Sequence, residues 1–160
     1  MKNWPSHAAP EPSFDLDGYI PFWLTAITNK WTANSSRLYL RKFGIGVMEW
    51  RVLGSLATLG TGRSIDICSL LVADSSSVSK ATTNLERRGL IEAVKGRFPG
   101  RNRPLYLTEA GSAIFEKMKE IALAREDQLL RALDLEDRLQ LLILLQKVHE
   151  RLPELSVEDL

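Results

Sequence analysis

The stretch between residues 74 and 107 constrains the fold most, because a helical pattern changes there abruptly into two short extended runs. Asp74 is a favourable N-cap residue and predicts a helix to Arg88, and Gly89 follows where a C-terminal glycine belongs. Strands are then predicted over 90–94 and 105–107, joined by a loop over 96–103. The sequence therefore predicts a helix followed directly by a β-hairpin.

Helices are predicted on both sides of this unit. Apolar residues recur at steps of three, four or seven along the first of them, as on one face of a helix. The predicted helices cover residues 20–40, 47–59, 64–72 with Ser64 near the N-cap, 109–133 capped by Thr108, and 135–152 capped by Asp134. The segments 43–46 and 60–62 are predicted as a helix-breaking loop and a turn.

Charge is distributed unevenly along the 160 residues, although the formal net charge is only +1. Seven Lys or Arg residues stand against two acidic residues between Ser75 and Arg103, whereas acidic residues outnumber basic ones from Asp134 onward. The basic segment coincides with the predicted helix and hairpin. This part of the chain is therefore expected to meet an anion.

The helix after Asp74 has the side chains that a major groove requires. Val78, Ala81 and Leu85 are spaced to form an inward face, and the other faces carry hydroxyls, an amide and cations. Such groups can bond to base edges and phosphates, and the basic hairpin tip can reach phosphates or a minor groove. The predicted DNA-binding residues are Ser75, Ser76, Ser77, Ser79, Lys80, Thr83, Asn84, Arg87, Arg88, Lys95, Arg97, Arg101 and Arg103.

Two helices joined by a tight turn and followed by a basic hairpin indicate a winged helix-turn-helix. The fold class is mainly α with a small β-hairpin wing and with N- and C-terminal dimerisation helices. The last helix is apolar almost all round over 139–145, so a second subunit is expected to cover it. The predicted divisions are an extended arm over 1–19, a dimerisation and pocket helix over 20–42, the DNA-binding domain over 43–110 and dimerisation helices over 111–160.

Three sequence blocks resemble the multiple-antibiotic-resistance regulator (MarR) family. They are Val47-Met48-Glu49-Trp50-Arg51-Val52-Leu53, Leu85-Glu86-Arg87-Arg88-Gly89-Leu90-Ile91-Glu92, and Arg103 with Leu107-Thr108-Glu109-Ala110-Gly111. The resemblance extends from Phe22 to about Leu152. It implies a homodimer that binds a near-palindromic operator on double-stranded DNA, in most cases as a repressor released by a phenolic or aromatic acid.

One position departs from the family pattern. An Asp commonly lies two residues before the arginine that matches Arg103, where it steadies the wing, but this chain has Arg101 there. The resemblance therefore does not supply a wing-stabilising ion pair from that position. The more basic tip predicts additional phosphate contact and a more mobile wing.

An effector pocket is predicted from aromatic residues near polar ones, since a small aromatic carboxylate suits such a lining. The residues are Trp23, Trp31, Asn34, Ser35, Arg37 and Trp50. Arg37, Arg51 and Arg63 are alternative carboxylate anchors that the sequence does not rank. Tryptophans at helical spacing are also common in protein cores, so the alternative is that these residues only pack.

The remaining chemistry-bearing residues indicate no cofactor and no metal. Cys68 lies among apolar residues, which favours an inert buried thiol over a redox sensor. His7 and His149 are far apart in sequence and fit no zinc motif. No phosphate-binding loop or nucleophile elbow is present, which argues against an enzyme.

Location and the competing function class follow from the same sequence. The chain has no signal-peptide pattern and no apolar stretch long enough for a membrane, so we expect a cytoplasmic protein without a membrane partner. The alternative function is a winged helix that docks proteins without binding DNA. The operator sequence, the effector and the sign of regulation are not determined by the sequence.

Overall fold

A computed structural model describes residues 14–96, 98 and 103–154 of the chain. Six α-helices and three short strands occur within these residues. In chain order they are α1 (Ile20–Phe43), α2 (Val47–Leu59), β1 (Thr61–Gly62), α3 (Ser64–Leu71), α4 (Ser75–Arg87), β2 (Ile91–Ala93), β3 (Leu105–Leu107), α5 (Glu109–Leu129) and α6 (Leu135–Arg151). The predicted class, mainly α with a small winged sheet, is confirmed. The chain forms two compact units, one up to Thr108 and one from Glu109 onward.

The core of the first unit lies between the helices of the helix-turn-helix. The α4 helix packs against α2 and α3, and its predicted inward residues Val78, Ala81 and Leu85 are all buried. Burial of a Val or Leu side chain contributes about 1.5–3 kcal/mol each. This apolar stripe therefore determines which face of α4 remains exposed.

The wing contains a third strand that the sequence analysis had taken for a turn. Thr61 pairs with Tyr106 and Gly62 with Leu105, so β3 lies between β1 and β2 in an antiparallel sheet. Gly62 is required by close packing, because a Cβ there would lie 3.1 Å from Leu59 Cδ1. A two-residue strand has too short a pattern to be detected in the sequence.

The remaining boundaries differ from prediction by a few residues, for local reasons. Phe43 belongs to α1, which ends at the left-handed Gly44 with its amide bonded to the Leu40 carbonyl. The N-cap of α3 is Arg63 rather than Ser64, and the Asp66 carboxylate accepts the Arg63 amide hydrogen. The predicted first wing strand shortens to Ile91–Ala93.

The turn between α5 and α6 begins four residues earlier than predicted. Arg138 donates to the carbonyls of Leu130 and Leu133 and forms an ion pair with Asp127 at 3.0 Å. These bonds satisfy carbonyls of the turn outside a helix. Asp134 caps α6 as predicted, since its carboxylate accepts the Asp137 amide hydrogen at 2.9 Å.

The α6 helix has no buried residue, and all of its residues are described. Apolar side chains from Leu139 to Leu145 are 38–54% exposed. The α1 helix also exposes Ile20, Trp23 and Ile27 near its N-terminus. Two helices therefore present apolar surface that this chain leaves uncovered.

Val72 is the backbone exception among the described residues other than glycine, with φ of 48°. The predicted α3 included Val72, but the helix ends at Leu71 and Val72 adopts a left-handed conformation as its C-cap. Its side chain is 78% exposed and gains little packing there. A β-branched residue in this region is strained.

Replacing Val72 with glycine should stabilise the protein. Relief of left-handed strain contributes about 1–2 kcal/mol, whereas the extra unfolded-state freedom of glycine costs about 0.5–1 kcal/mol. A net gain of about 0.5–1 kcal/mol corresponds to a rise in Tm of about 2 °C for a chain of this size. Thermal unfolding of Val72→Gly and of the neighbouring control Ala73→Gly measures this, and equal or lower Tm for Val72→Gly would contradict the strain.

Candidate nucleic-acid interface

The exposed face of α4 carries the polar residues that were predicted to meet DNA. Ser75, Ser76, Ser79, Lys80, Thr83 and Arg87 are exposed, and Ser77 and Asn84 are half-buried. The opposite face is the buried stripe of Val78, Ala81 and Leu85. The structure therefore places these eight side chains on the outside of one 13-residue helix.

The N-terminus of α4 is held by Asp74, as the sequence predicted. The Asp74 carboxylate accepts the amide hydrogen of Ser77 at 2.8 Å. That bond, with contributions from the Ser77 and Ser76 side chains, holds the pKa of Asp74 below its ordinary value. A carboxylate already caps this helix end, so a phosphate is less favoured there than the helix dipole alone would suggest.

The C-terminal end of α4 also has its predicted form. Gly89 adopts a left-handed conformation with φ of 67°, and the Leu90 amide donates to the Leu85 carbonyl at 3.0 Å. These bonds end the helix and turn the chain into β2. The wing therefore begins at a defined point relative to the exposed face of α4.

Two of the predicted DNA-binding arginines have partners within the fold. Arg88 donates to the Gly44 carbonyl at 2.7 Å and to the Phe43 carbonyl at 3.1 Å. Arg103 forms an ion pair with Glu86 at 2.7 Å. Sequence reasoning missed Glu86 as a partner, because the contact spans 17 residues from α4 to the wing.

The Glu86 contact supplies a link between wing and helix that the family pattern did not predict here. The Arg103 side chain is 53% exposed and that of Glu86 is 29% exposed, so solvent weakens the pair and its contribution to stability is small. Its role is geometric, because it joins the end of the wing loop to α4. A second wing contact runs from the Tyr106 hydroxyl to Glu92 at 2.9 Å, and this bond raises the pKa of Tyr106.

Other predicted contacts lie on or beside the wing loop. Arg87 donates to the Asn84 side-chain oxygen at 3.3 Å, so two predicted DNA-binding residues lie together on α4. Lys95 is exposed just after β2. Arg97 and Arg101 lie outside the described residues, so the predicted basic tip is represented here by Lys95 and Arg103.

The predicted effector residues do not form one cluster within a chain. Trp50 is half-buried with its ring 5.6 Å from that of Tyr39, a buried residue that the sequence analysis did not select. Trp23 lies 16 residues before Tyr39 on α1, about 24 Å along the helix axis. Its indole nitrogen donates to the Asp17 carbonyl at 2.9 Å.

The polar residues considered for that pocket differ in their surroundings. Ser35 is buried one turn before Tyr39, whereas Asn34 and Arg37 are exposed and Trp31 is half-buried. Arg51 is also exposed. Arg63 donates two guanidinium hydrogens to Asp66, which occupies the edge that would bind a carboxylate.

Other site classes find no support among the described residues. No group of three or more His, Cys, Asp or Glu side chains there could hold a metal ion. Cys68 is only partly buried, because neighbouring Leu70 is itself exposed. Within the same residues, no helix is both long and apolar enough to cross a membrane.

Comparisons with known proteins agree on one kind of relative. The HTH-type transcriptional repressor IacR of Pseudomonas putida is 27% identical over 115 residues, which cover 72% of this chain and 68% of that protein. The crystal structure of a MarR/EmrR family transcriptional regulator from Acinetobacter sp. ADP1 matches with a TM-score of 0.80 and 29% identity, covering 89% of this chain and 100% of the other.

A structure determined with DNA shares the same fold. The S. aureus MepR–DNA complex matches with a TM-score of 0.72 and 22% identity over 85% of this chain and 98% of MepR. No protein-family model matches the chain. The similarity therefore comes from the fold and from these individual proteins.

The Arg63–Asp66 pair should make stability depend on pH in the acid range. Hydrogen bonds from the Arg63 side chain and amide lower the pKa of Asp66 from 3.8 to about 2. Because the folded pKa is depressed, this stabilisation is fully present above the unfolded value and is lost as the pH falls through about 2.

We therefore expect Asp66→Asn to lower the free energy of unfolding at pH 6, with a difference from wild type that shrinks towards pH 2. Urea denaturation across this range measures the difference. Arg63→Gln is the matched control and should show the same convergence, since it removes the other partner. A gap that stays constant with pH would show that the ion pair does not operate in solution.

Proposed function

Because this chain is a MarR-family transcriptional regulator, we propose that it is a homodimer that binds a near-palindromic operator and represses transcription. Its relatives are transcriptional regulators, a family that is not enzymatic, and the prediction that the chain is not an enzyme is confirmed in this way. The names of two relatives bear on the proposal, since one is a repressor and another was crystallised with DNA.

The exposed face of α4 is the observation that carries the proposal. Its hydroxyls, amide and cations are held outward by the buried stripe on the other side, and the helix can enter a major groove with that face towards the bases. Ser76, Lys80 and Thr83 are proposed to contact bases or nearby phosphates. Arg87 and Lys95, with Arg97 and Arg101, are proposed to contact phosphates or the minor groove.

The homodimer is proposed from the uncovered apolar surface of α6 and α1. A single-chain helix that exposes leucines on most of its circumference is unstable in water unless another surface covers it. A second copy carries the same surface and can bury it by two-fold symmetry. The proposed divisions are a helical dimerisation layer from both ends of the chain around a central DNA-binding domain over 43–110. A cytoplasmic location is part of the proposal.

Selection from genomic DNA tests the proposed function. The purified protein is mixed with genomic fragments at 50 and 200 mM salt, and the retained DNA is sequenced. We expect one near-palindromic site, with affinity about a thousandfold lower at the higher salt if about six phosphates are neutralised. Absence of enrichment at both salts, with a protein shown to carry no co-purified ligand, would contradict DNA binding and favour a winged helix that docks proteins.

An aromatic carboxylate is the proposed effector, and the environment of Trp50 supports a site near the end of α1. There the half-buried Trp50 lies against Tyr39, with Ser35 one turn away. Arg37 and Arg51 are the two exposed candidates for a carboxylate anchor, since Arg63 is paired with Asp66. A ligand there acts only if it binds the DNA-competent and incompetent states unequally.

Tryptophan fluorescence should report the effector. Titration with a panel of aromatic acids is expected to quench emission in wild type and in Trp23→Phe, but much less in Trp50→Phe. Trp23 is the matched control, because it lies far along α1 from Tyr39. Equal quenching in all three proteins, or none with any acid, would contradict a site beside Trp50.

A further inference from the structure

The two adjacent arginines at the end of α4 have different surroundings. Arg87 lies on the exposed face and donates to Asn84 of the same helix. Arg88 points instead to the end of α1, where its two terminal nitrogens donate to the carbonyls of Gly44 and Phe43. These contacts join residues 44 and 45 positions apart in sequence.

The acceptors of Arg88 are carbonyls that a helix end leaves without helical partners. Phe43 is the last residue of α1, and Gly44 is its left-handed C-cap. The last carbonyls of a helix carry the negative end of its dipole, so a cation is favourable there. Arg41 and Lys42 in the last turn of α1 are the other cations beside this end, and both are exposed.

We propose that Arg88 is a positioning residue, which sets the angle of α4 against α1 instead of contacting a phosphate. The planar guanidinium uses both terminal nitrogens on two consecutive carbonyls, and this two-point contact fixes orientation as a single bond does not. The largest packing contact of α1 in this unit is with α2. Arg88 adds a direct link from α1 to the helix proposed to read DNA.

The inference rests on the proposed function, because it matters when two copies dimerise through α1 and α6. The separation of the two α4 helices then depends on the angle that each makes with its own α1. A 13-residue helix is about 20 Å long, so a pivot of about 10° at its C-terminal end moves its N-terminus by about 3 Å. One base-pair step is also about 3.4 Å. Loss of the link should therefore relax selection for half-site spacing.

The experiment measures binding to the selected operator and to two variants with one base pair inserted or removed at its centre. Each is titrated at several salt concentrations with wild type, Arg88→Lys, Arg88→Ala and the matched control Arg87→Ala. For Arg88→Lys and Arg88→Ala we expect the preference for native spacing to fall at least threefold, with an unchanged salt slope. For Arg87→Ala we expect unchanged spacing preference and a slope reduced by about 0.9.

Arg88→Lys decides the matter even if Arg88→Ala does not fold. It keeps the positive charge, so a phosphate contact predicts wild-type spacing preference, whereas the positioning role predicts a reduced one because an ammonium lacks the planar fork. An unchanged spacing preference in Arg88→Lys overturns the inference. A slope reduced by about 0.9 in Arg88→Ala with spacing preference intact also overturns it and assigns Arg88 to a phosphate.

Failure of the proposed function is visible separately in the same titrations. If wild type binds none of the operators, the proposed function is wrong and the inference falls with it. If wild type binds and discriminates spacing but the Arg88 variants discriminate equally well, only the positioning role is wrong. Thermal unfolding without DNA checks that Arg88→Lys is folded at the assay temperature.

Discussion

Burial of the apolar stripe on α4 is the interaction on which the rest of the DNA-binding unit depends. Val78, Ala81 and Leu85 are fixed against α2 and α3, and a helix that buries one face must present the opposite one. The hydroxyl-rich face is exposed for that reason. The wing is positioned from the same helix, since Gly89 ends α4 and the chain then enters β2.

Polar contacts add orientation to this packing, and most of them lie near solvent. The Asp74 cap defines where α4 begins, the Glu86–Arg103 pair joins α4 to the end of the wing loop, and Arg88 joins α4 to α1. Exposed pairs of this kind contribute little to the free energy of unfolding. Their directional geometry nevertheless restricts how wing and helix can rotate, and orientation is what matching two half-sites requires.

The chain divides its surface between two kinds of partner. Hydroxyls and cations on α4 and the wing suit an anionic duplex, whereas the leucine-rich surface of α6 suits another apolar surface. These surfaces occur in separate compact units of the chain. The uneven charge seen in the sequence thus has a structural counterpart, with basic residues concentrated in the first unit around α4 and the wing.

The sequence by itself determined the helices, the hairpin and the exposed face of α4, because periodicity, caps and glycines act over a few residues. Asp74, Gly89 and the Val78–Ala81–Leu85 spacing were sufficient for that. Only the tertiary structure decided which basic residues have partners in the fold. Arg88 and Arg103 resemble Arg87 in sequence, but their acceptors lie 44 and 17 residues away. The same applies to β1 and to Tyr39 beside Trp50, since pairing between distant segments leaves no local pattern.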